Sequence, residues 1–504
     1  MNLRLQLTIL LLGCLVSGAH AQMDDIPAQL SWGSTQKAPN GSRLAKIITA
    51  GNWGASVLRY QPGGGFSREA YWLEHFDARM ALKGRYELEL PQRPRADLED
   101  IISLGGQLYI LLSRPTTEGD ASRVYARPLS SSAQVTGSEI LLADLPRDEK
   151  FRRRQFDLEY SRDSSTFLLY NQLPPQKGGP EEFTLRVFDD RFQLLWSRDV
   201  VLPYRDRGFN VLAYKVDPEG NVFLLGRQKA EANGKKLAPM FTLFSYTSQG
   251  REEIEYKITL DDIDIHSLRF EVAGNGDVVC GGLYAPEGKK ESQGICHIRI
   301  NPLTREAYQI DLVPFPIDFL AETQHIKGLE AFRLRDLTLR SDGGIVVVAE
   351  QYYWQRAAIT TARGYDQGDA TVYNDIVVAN LAPDGTYSWL RNIPKKQETF
   401  DDQGVFSSFV QATVKDRFYF LFNDNRNNFQ PDKSRIYNFD RHESVIKLSE
   451  INRAGEQTTV PLFVNEDAGI MALPRRCRQV GARTILIYGE KGREYRLGLL
   501  RLGN

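Results

Sequence analysis

Apolar and polar positions recur along the chain in one long pattern: eight times a short polar or glycine-bearing turn is followed by a nearly unbroken apolar strand. The hairpins occupy 48–60, 101–113, 159–171, 214–226, 270–282, 337–349, 412–424 and 478–490. Seven steps averaging about 61 residues separate the first apolar strand from the last, and such a period marks a ring or stack of repeated units. After each apolar strand come a polar loop and two further strands with a turn between them, clearest in 183–202, 240–260 and 375–394. Asp217-Pro218-Glu219-Gly220 and Asp384-Gly385 supply turn residues at the expected breaks.

The second strand of each unit is apolar at consecutive positions, as in Val222-Phe223-Leu224-Leu225 and Ile345-Val346-Val347-Val348. Both of its faces must be buried. A four-stranded antiparallel sheet packed between two similar sheets meets that demand, so the pattern predicts an all-β chain forming a β-propeller. An immunoglobulin-type module needs about 100 residues and a β-helix coil far fewer than about 61. The last unit supplies only three strands, while Gln29-Leu30-Ser31-Trp32-Gly33 matches the outer strands Gln193–Ser197 and Thr386–Leu390. Residues 26–36 are therefore expected to complete the last blade, removing an exposed sheet edge. The count is eight blades, with seven as the alternative if a terminal unit is degenerate.

Residues 1–21 carry one charge, Arg4, an apolar run from Leu7 to Val16, and Ala19-His20-Ala21 before Gln22. The run is too short to span a bilayer and ends in a small-x-small site, so it is expected to be a secretory signal peptide. The alternative processing takes Leu11-Leu12-Gly13-Cys14 as a lipid-attachment box. No other stretch approaches 18 apolar residues. The mature chain, 22–504, is thus expected to be one exported propeller domain without an integral membrane segment, in the periplasm, on the cell surface or outside the cell.

Charge narrows the partners. The chain has 63 Lys+Arg against 64 Asp+Glu, and loss of Arg4 leaves 62 against 64. Near-neutrality argues against nucleic acid as the main partner. The basic run Lys150-Phe151-Arg152-Arg153-Arg154 lies between repeats and reads as a solvated loop. Cys280, Cys296 and Cys477 remain after processing, too few for a disulfide scaffold. Cys280 ends one strand and Cys296 starts the next, so a cross-strand disulfide between them is a candidate, with two buried thiols as the alternative. A one-residue change of register would forbid the bridge.

The segments EQYYW (350–354), YNDIVVANLAPDGTYSWLRNIPKKQ (373–397) and FYFLFNDNRNN (418–428) resemble segments of uncharacterised exported propeller-like proteins of bacteroidete bacteria. The resemblance covers about a third of the chain. It implies the fold and export, and brings no established activity or catalytic residues.

In a propeller, the loop after the second strand and the loop joining one blade to the next open on the same rim. Two are long here, Gln351–Asn374 and Asn423–Glu443, and Lys395–Gln403 runs between their repeats. The first holds Tyr352, Tyr353, Trp354, Arg356 and Tyr365, with Asp366, Asp369 and Tyr373; rings beside forked cations suit stacking on a sugar or gripping a peptide. Asn423, Asp424 and Arg426 belong to the second, where oxygens at 423, 425 and 427 imitate the start of a calcium loop. The alternate residues are uncharged asparagines, position 428 is not glycine, and Ser434 stands where the bidentate glutamate belongs. The run reads better as asparagines bonding backbone in a sharp turn, and no metal or cofactor is assigned.

Enzyme signatures are absent: there is no Gly-x-Ser-x-Gly, His-Glu-x-x-His, phosphate-binding Gly-Lys loop or Cys-x-x-Cys. His75, His266, His297, His325 and His442 are scattered one per region. The expected function is a recognition or scaffold module that takes a glycan, a peptide or an envelope protein through Tyr352, Tyr353, Trp354, Arg356, Tyr365, Asn423, Asp424 and Arg426. One alternative is a carbohydrate-active hydrolase or lyase pairing carboxylates from Glu350, Asp401, Asp402 and Asp424. The other is a structural subunit of a cell-envelope complex.

Overall fold

The computed structural model describes residues 26–503 apart from 65–67, 92–95, 117–120, 147–155, 174–178, 206–207, 230, 233–234, 237–238, 305, 362–363 and 430–434. The leader with Cys14 and the basic run 150–154 lie outside these residues. Eight sheets follow one another along the chain at 43–87, 97–146, 156–205, 209–258, 263–314, 332–393, 409–464 and 471–502, here blades 1 to 8. In blades 1 to 7 four antiparallel strands pair in chain order. Each of the eight hairpins expected from the apolar pattern forms the first two strands of a blade.

The first strands of neighbouring blades touch one another, for example Ile263–Val272 with Phe332–Leu339, so they form the inner wall of the ring. Eight apolar cores lie between the sheets, one for each pair of neighbours. Between blades 7 and 8 Leu448 packs with Ile485, and between blades 8 and 1 Leu497 packs with Val57. The second strands supply both flanking cores at once: Val346 and Val348 face blade 7, while Val347 and Ala349 face blade 5. This is why these strands cannot alternate in polarity.

The ring closes through the N-terminal segment, as its sequence led one to expect. Ala28–Trp32 pairs with the last strand, Ala28 opposite Leu502 and Trp32 opposite Gly498, and Gln36–Lys37 adds a second short pairing. Blade count is therefore eight, with blade 8 assembled from both ends of the chain. Matching outer-strand tryptophans tie one blade to the next. Trp196 donates to Gly220 O at 2.9 Å and Trp389 to Arg453 O at 3.1 Å. Two residues on, Arg198 and Arg391 reach the turn carbonyls of Gly250 and Gly455.

Five inner strands carry a bulge at the same level, where the pairing register shifts past Ala45, Glu99, Leu212, His266 and Arg335. An extra residue turns the strand and re-aims its side chains. These bulges sit near the start of the five strands, on the upper rim, where second strands end and third strands begin.

The candidate disulfide is not formed. Cys280 stands opposite Ile298, and Cys296 opposite Gly282. The two cysteines are thus diagonal neighbours on one face, and both are free thiols in the core between blades 4 and 5. Burial pushes the Cys296 thiol up to about 12 and Cys280 upward as well. No helix among the described residues is long and apolar enough to cross a membrane.

Candidate functional site

The segment 351–374, expected to be a loop, is a β-ribbon. The second and third strands of blade 6 continue past the other blades as Ile345–Thr361 and Gly364–Leu381, paired from Tyr352 opposite Tyr373 up to Thr361 opposite Gly364. Alternating β-branched and aromatic residues, Tyr352 to Trp354 against Thr371 to Tyr373, let a segment that would otherwise be irregular keep pairing. Glu398–Phe400 adds a third strand along Ala370–Val372.

Period-two geometry sorts the candidates. Tyr352, Trp354 and Arg356 share one face with Thr371 and Tyr373; Tyr353 lies on the other. Tyr352 and Tyr373 pack with ring centroids 4.7 Å apart. The guanidinium of Arg333 lies 4.5 Å from the Tyr352 ring, that of Arg335 about midway at 5.4 and 5.5 Å from the two rings, and that of Arg475 5.4 Å from Tyr373. Arg475 also donates to the Tyr373 hydroxyl at 3.1 Å. Trp354 extends this face outward and is 54% exposed. Arg356, also exposed, sits 3.8 Å from Asp369.

Beneath the tyrosines is a buried polar hub. Glu350 and Lys395 are out of water, with Lys395 Nζ 2.9 Å from Glu350 Oε1. Lys395 also donates to Tyr373 O at 2.7 Å and Gln397 Oε1 at 3.1 Å, so its three N–H bonds are used. Glu350 Oε2 accepts from Arg335 Nε at 2.8 Å and Ser408 Oγ at 2.9 Å. Burial lowers the Lys395 pKa against the pull of Glu350. Burial raises that of Asp375, which accepts from the Lys395 backbone N–H. The ammonium, already matched on every side, is a fixed post for the strands of blade 6.

A strap formed by residues 401–408 lies over Tyr373 and the hub. Asp401, Gln403, Gly404 and Ser408 all have φ between 54° and 70°, three of them without the freedom of glycine. Gly404 packs so closely on Tyr373 that a Cβ there would approach its ring carbon within 2.6 Å. The strain is held by Arg475 donating to Gln403 O and Gly404 O, by Arg441 on Asp402, and by Ser408 N on Gln397 Oε1. Left-handed non-glycine residues cost about 1 kcal/mol or more each and gather at functional sites.

The structure divides the expected recognition set. Tyr352 and Trp354 join one face; Tyr353 is on the reverse of the ribbon, where Glu398 and Glu330 add to burial in raising its pKa. The Tyr365 side chain lies outside the described residues. Asn423 and Asp424 are fully buried and do not belong to the exposed face. Asn423 donates to Phe406 O and Ala472 O and accepts from Asn465, joining the strap to blade 8. Asp424 lies 3.2 Å from Lys447 and accepts from Asn425 N and Asn428 Nδ2. These bonds make the asparagine run a turn, with Arg426 exposed and paired to Glu443. Among the carboxylates considered for catalysis, Glu350 is buried in the hub, Asp402 is bound by Arg441 and Thr399, and Asp401 accepts from the Asp369 backbone.

Sequence reading passed over Arg333, Arg335 and Arg475. Arg333-x-Arg335 sits in an inner strand, and two cations two residues apart among Phe332, Leu334, Leu337 and Leu339 were a usable signal. Arg475 comes from the link into blade 8, and nothing local brings it to blade 6.

No family model and no curated protein matches the chain. Solved structures similar to it include the polysaccharide lyase Uly1, at 10% identity and a TM-score of 0.40 over 94% of this chain and 100% of that one. Another is the β-propeller domain of the Trilobed protease from Pyrococcus furiosus, at 10% identity and a TM-score of 0.33 over 74% and 100%. A third is the WD40 domain of SCAP from fission yeast, at 9% identity and 0.37 over 95% and 98%. None of these similarities bears on what the present chain binds.

Proposed function

We propose that the protein is an exported recognition module whose ligand, a glycan or peptide, lies against the upper rim of blades 6 to 8. The observation carrying this reading is the exposed Trp354 continuing the face of Tyr352 and Tyr373 on a ribbon that stands above the ring. A large ring more than half exposed on a two-stranded support loses little entropy on stacking against a ligand. The hub and strap beneath it fix the platform.

The test is a glycan and peptide array screened with residues 22–504, with and without EDTA, beside the Trp354→Ala protein. Reproducible binding that the substitution abolishes, with a melting temperature within about 2 °C of wild type, is the expected result. A blank array with folded protein overturns the reading, and so does binding indifferent to Trp354.

A further inference from the structure

Three guanidiniums surround one pair of tyrosines, yet little negative charge reaches them. Arg333, Arg335 and Arg475 contact the rings of Tyr352 and Tyr373. The carboxylate that reaches this group is Glu350, which is shared with Lys395 and Ser408. Counting Asp375 on the far side of Lys395, four cations face two carboxylates. The other acids nearby are turned to different partners. Asp336 accepts from Gln411 and Thr338, Asp402 pairs with Arg441, Asp369 and Asp401 serve the ribbon and strap, and Glu330 and Glu398 lie on the Tyr353 side.

Of the three, Arg333 is the one with donors to offer. Arg335 is matched from within, Nε donating to Glu350 Oε2 at 2.8 Å and Nη2 lying 2.8 Å from the same oxygen, and Arg475 spends Nη1 on the Tyr373 hydroxyl and Nη2 on Gln403 O and Gly404 O. Arg333 is exposed, its guanidinium over the Tyr352 ring 4.5 Å from the centroid. A guanidinium stacked on a ring keeps its in-plane N–H fork free, and that fork matches a carboxylate in two parallel hydrogen bonds. Like charges held together on a rim also raise the local potential, which an anion relieves.

We propose that this rim is an anion seat and that the ligand is an acidic glycan whose uronate carboxylate docks on Arg333, with the exposed Arg475 adding positive charge to the rim. This rests on the recognition reading above and names its substrate class. The sugar bearing that carboxylate lies beside Arg333, and the next residue of the glycan stacks on Trp354, two positions outward from Tyr352 on the same face. A glycan suits the face better than an acidic peptide, because the platform offers ring faces and guanidinium forks on a flat ribbon. One ribbon edge that an extended peptide would use is already covered by Glu398–Phe400.

The experiment is calorimetric titration of residues 22–504 with hexagalacturonate and hexamannuronate, with their methyl esters, and with poly-L-glutamate, at two salt concentrations. Arg333→Gln is expected to weaken uronate binding at least about tenfold, and esterification to do the same. Arg333→Lys, which keeps the charge and loses the fork, separates recognition from misfolding: it should fold normally and bind poorly. Equal affinity for acid and ester overturns the anion seat while leaving the platform. Preference for polyglutamate, or no binding of either uronate, overturns the glycan assignment.

Discussion

Lys395 Nζ lies 2.9 Å from Glu350 Oε1 with both side chains shut away from water, at the point where blade 6 meets the strap. Removing two charges from water costs several kcal/mol per ion, offset only when every donor and lone pair is used. That condition is met by Tyr373 O and Gln397 on the lysine, and by Arg335 and Ser408 on the glutamate.

Breaking this pair from one side leaves a stranded charge. Lys395→Met should lower unfolding stability by about 3 to 5 kcal/mol, read from urea denaturation. Lys395→Met with Glu350→Gln should recover part of that loss, since neither charge is then stranded. A single-variant cost below about 1 kcal/mol would show that the surroundings re-solvate Glu350.

Acid should weaken the fold through two histidines. Burial lowers the pKa of His75 and of His297, the latter against an opposing pull from Asp311. A lowered folded-state value means that the unfolded chain binds protons first as pH falls through about 6.5, so stability is lost below that point. At pH 5.5 each contributes at most about 1.4 kcal/mol of loss. Asp375 works in the opposite sense: its value is raised by burial, so acidification relieves a cost carried at neutral pH. The double variant His75→Gln, His297→Gln should show a flatter stability profile between pH 7 and 5.5; an unchanged slope would assign acid sensitivity elsewhere.

Ring closure can be tested by trimming. A chain beginning at residue 39 loses the pairing of Ala28–Trp32 with the last strand and the Trp32 contacts with Phe463 and Arg496. It leaves Glu494–Leu502 as an open edge. The midpoint of thermal unfolding should fall by at least about 5 °C, with concentration-dependent light scattering. A monodisperse protein of unchanged stability would mean that the other contacts of blade 8 hold the ring closed.

The limits of sequence reading can be traced to single residues. Runs such as Val346-Val347-Val348 announce their environment without help, because a strand buried on both faces has no polar position to spare. Trp32 could be matched to Trp196 and Trp389 because all three sit in outer strands. Asn423 and Asp424 misled for the converse reason: a polar run at a strand end reads as solvent-exposed, and only the strap and blade 8 turn it inward. The Cys280–Cys296 pair turned on a two-residue offset that composition does not encode.

What the sequence determined by itself is the ring: eight repeats, the order of strands within each, and closure by the N-terminus, since hydrophobic period and turn residues act over a few neighbours. What only the tertiary structure decided is the site. Arg333, Glu350, Tyr373, Lys395, Ser408 and Arg475 are spread over about 140 residues of chain, in blades 6 and 8 and the segment joining blades 6 and 7. Their meeting depends on how far each sheet twists and where each bulge falls, and the energies that set those angles are summed over whole blade interfaces.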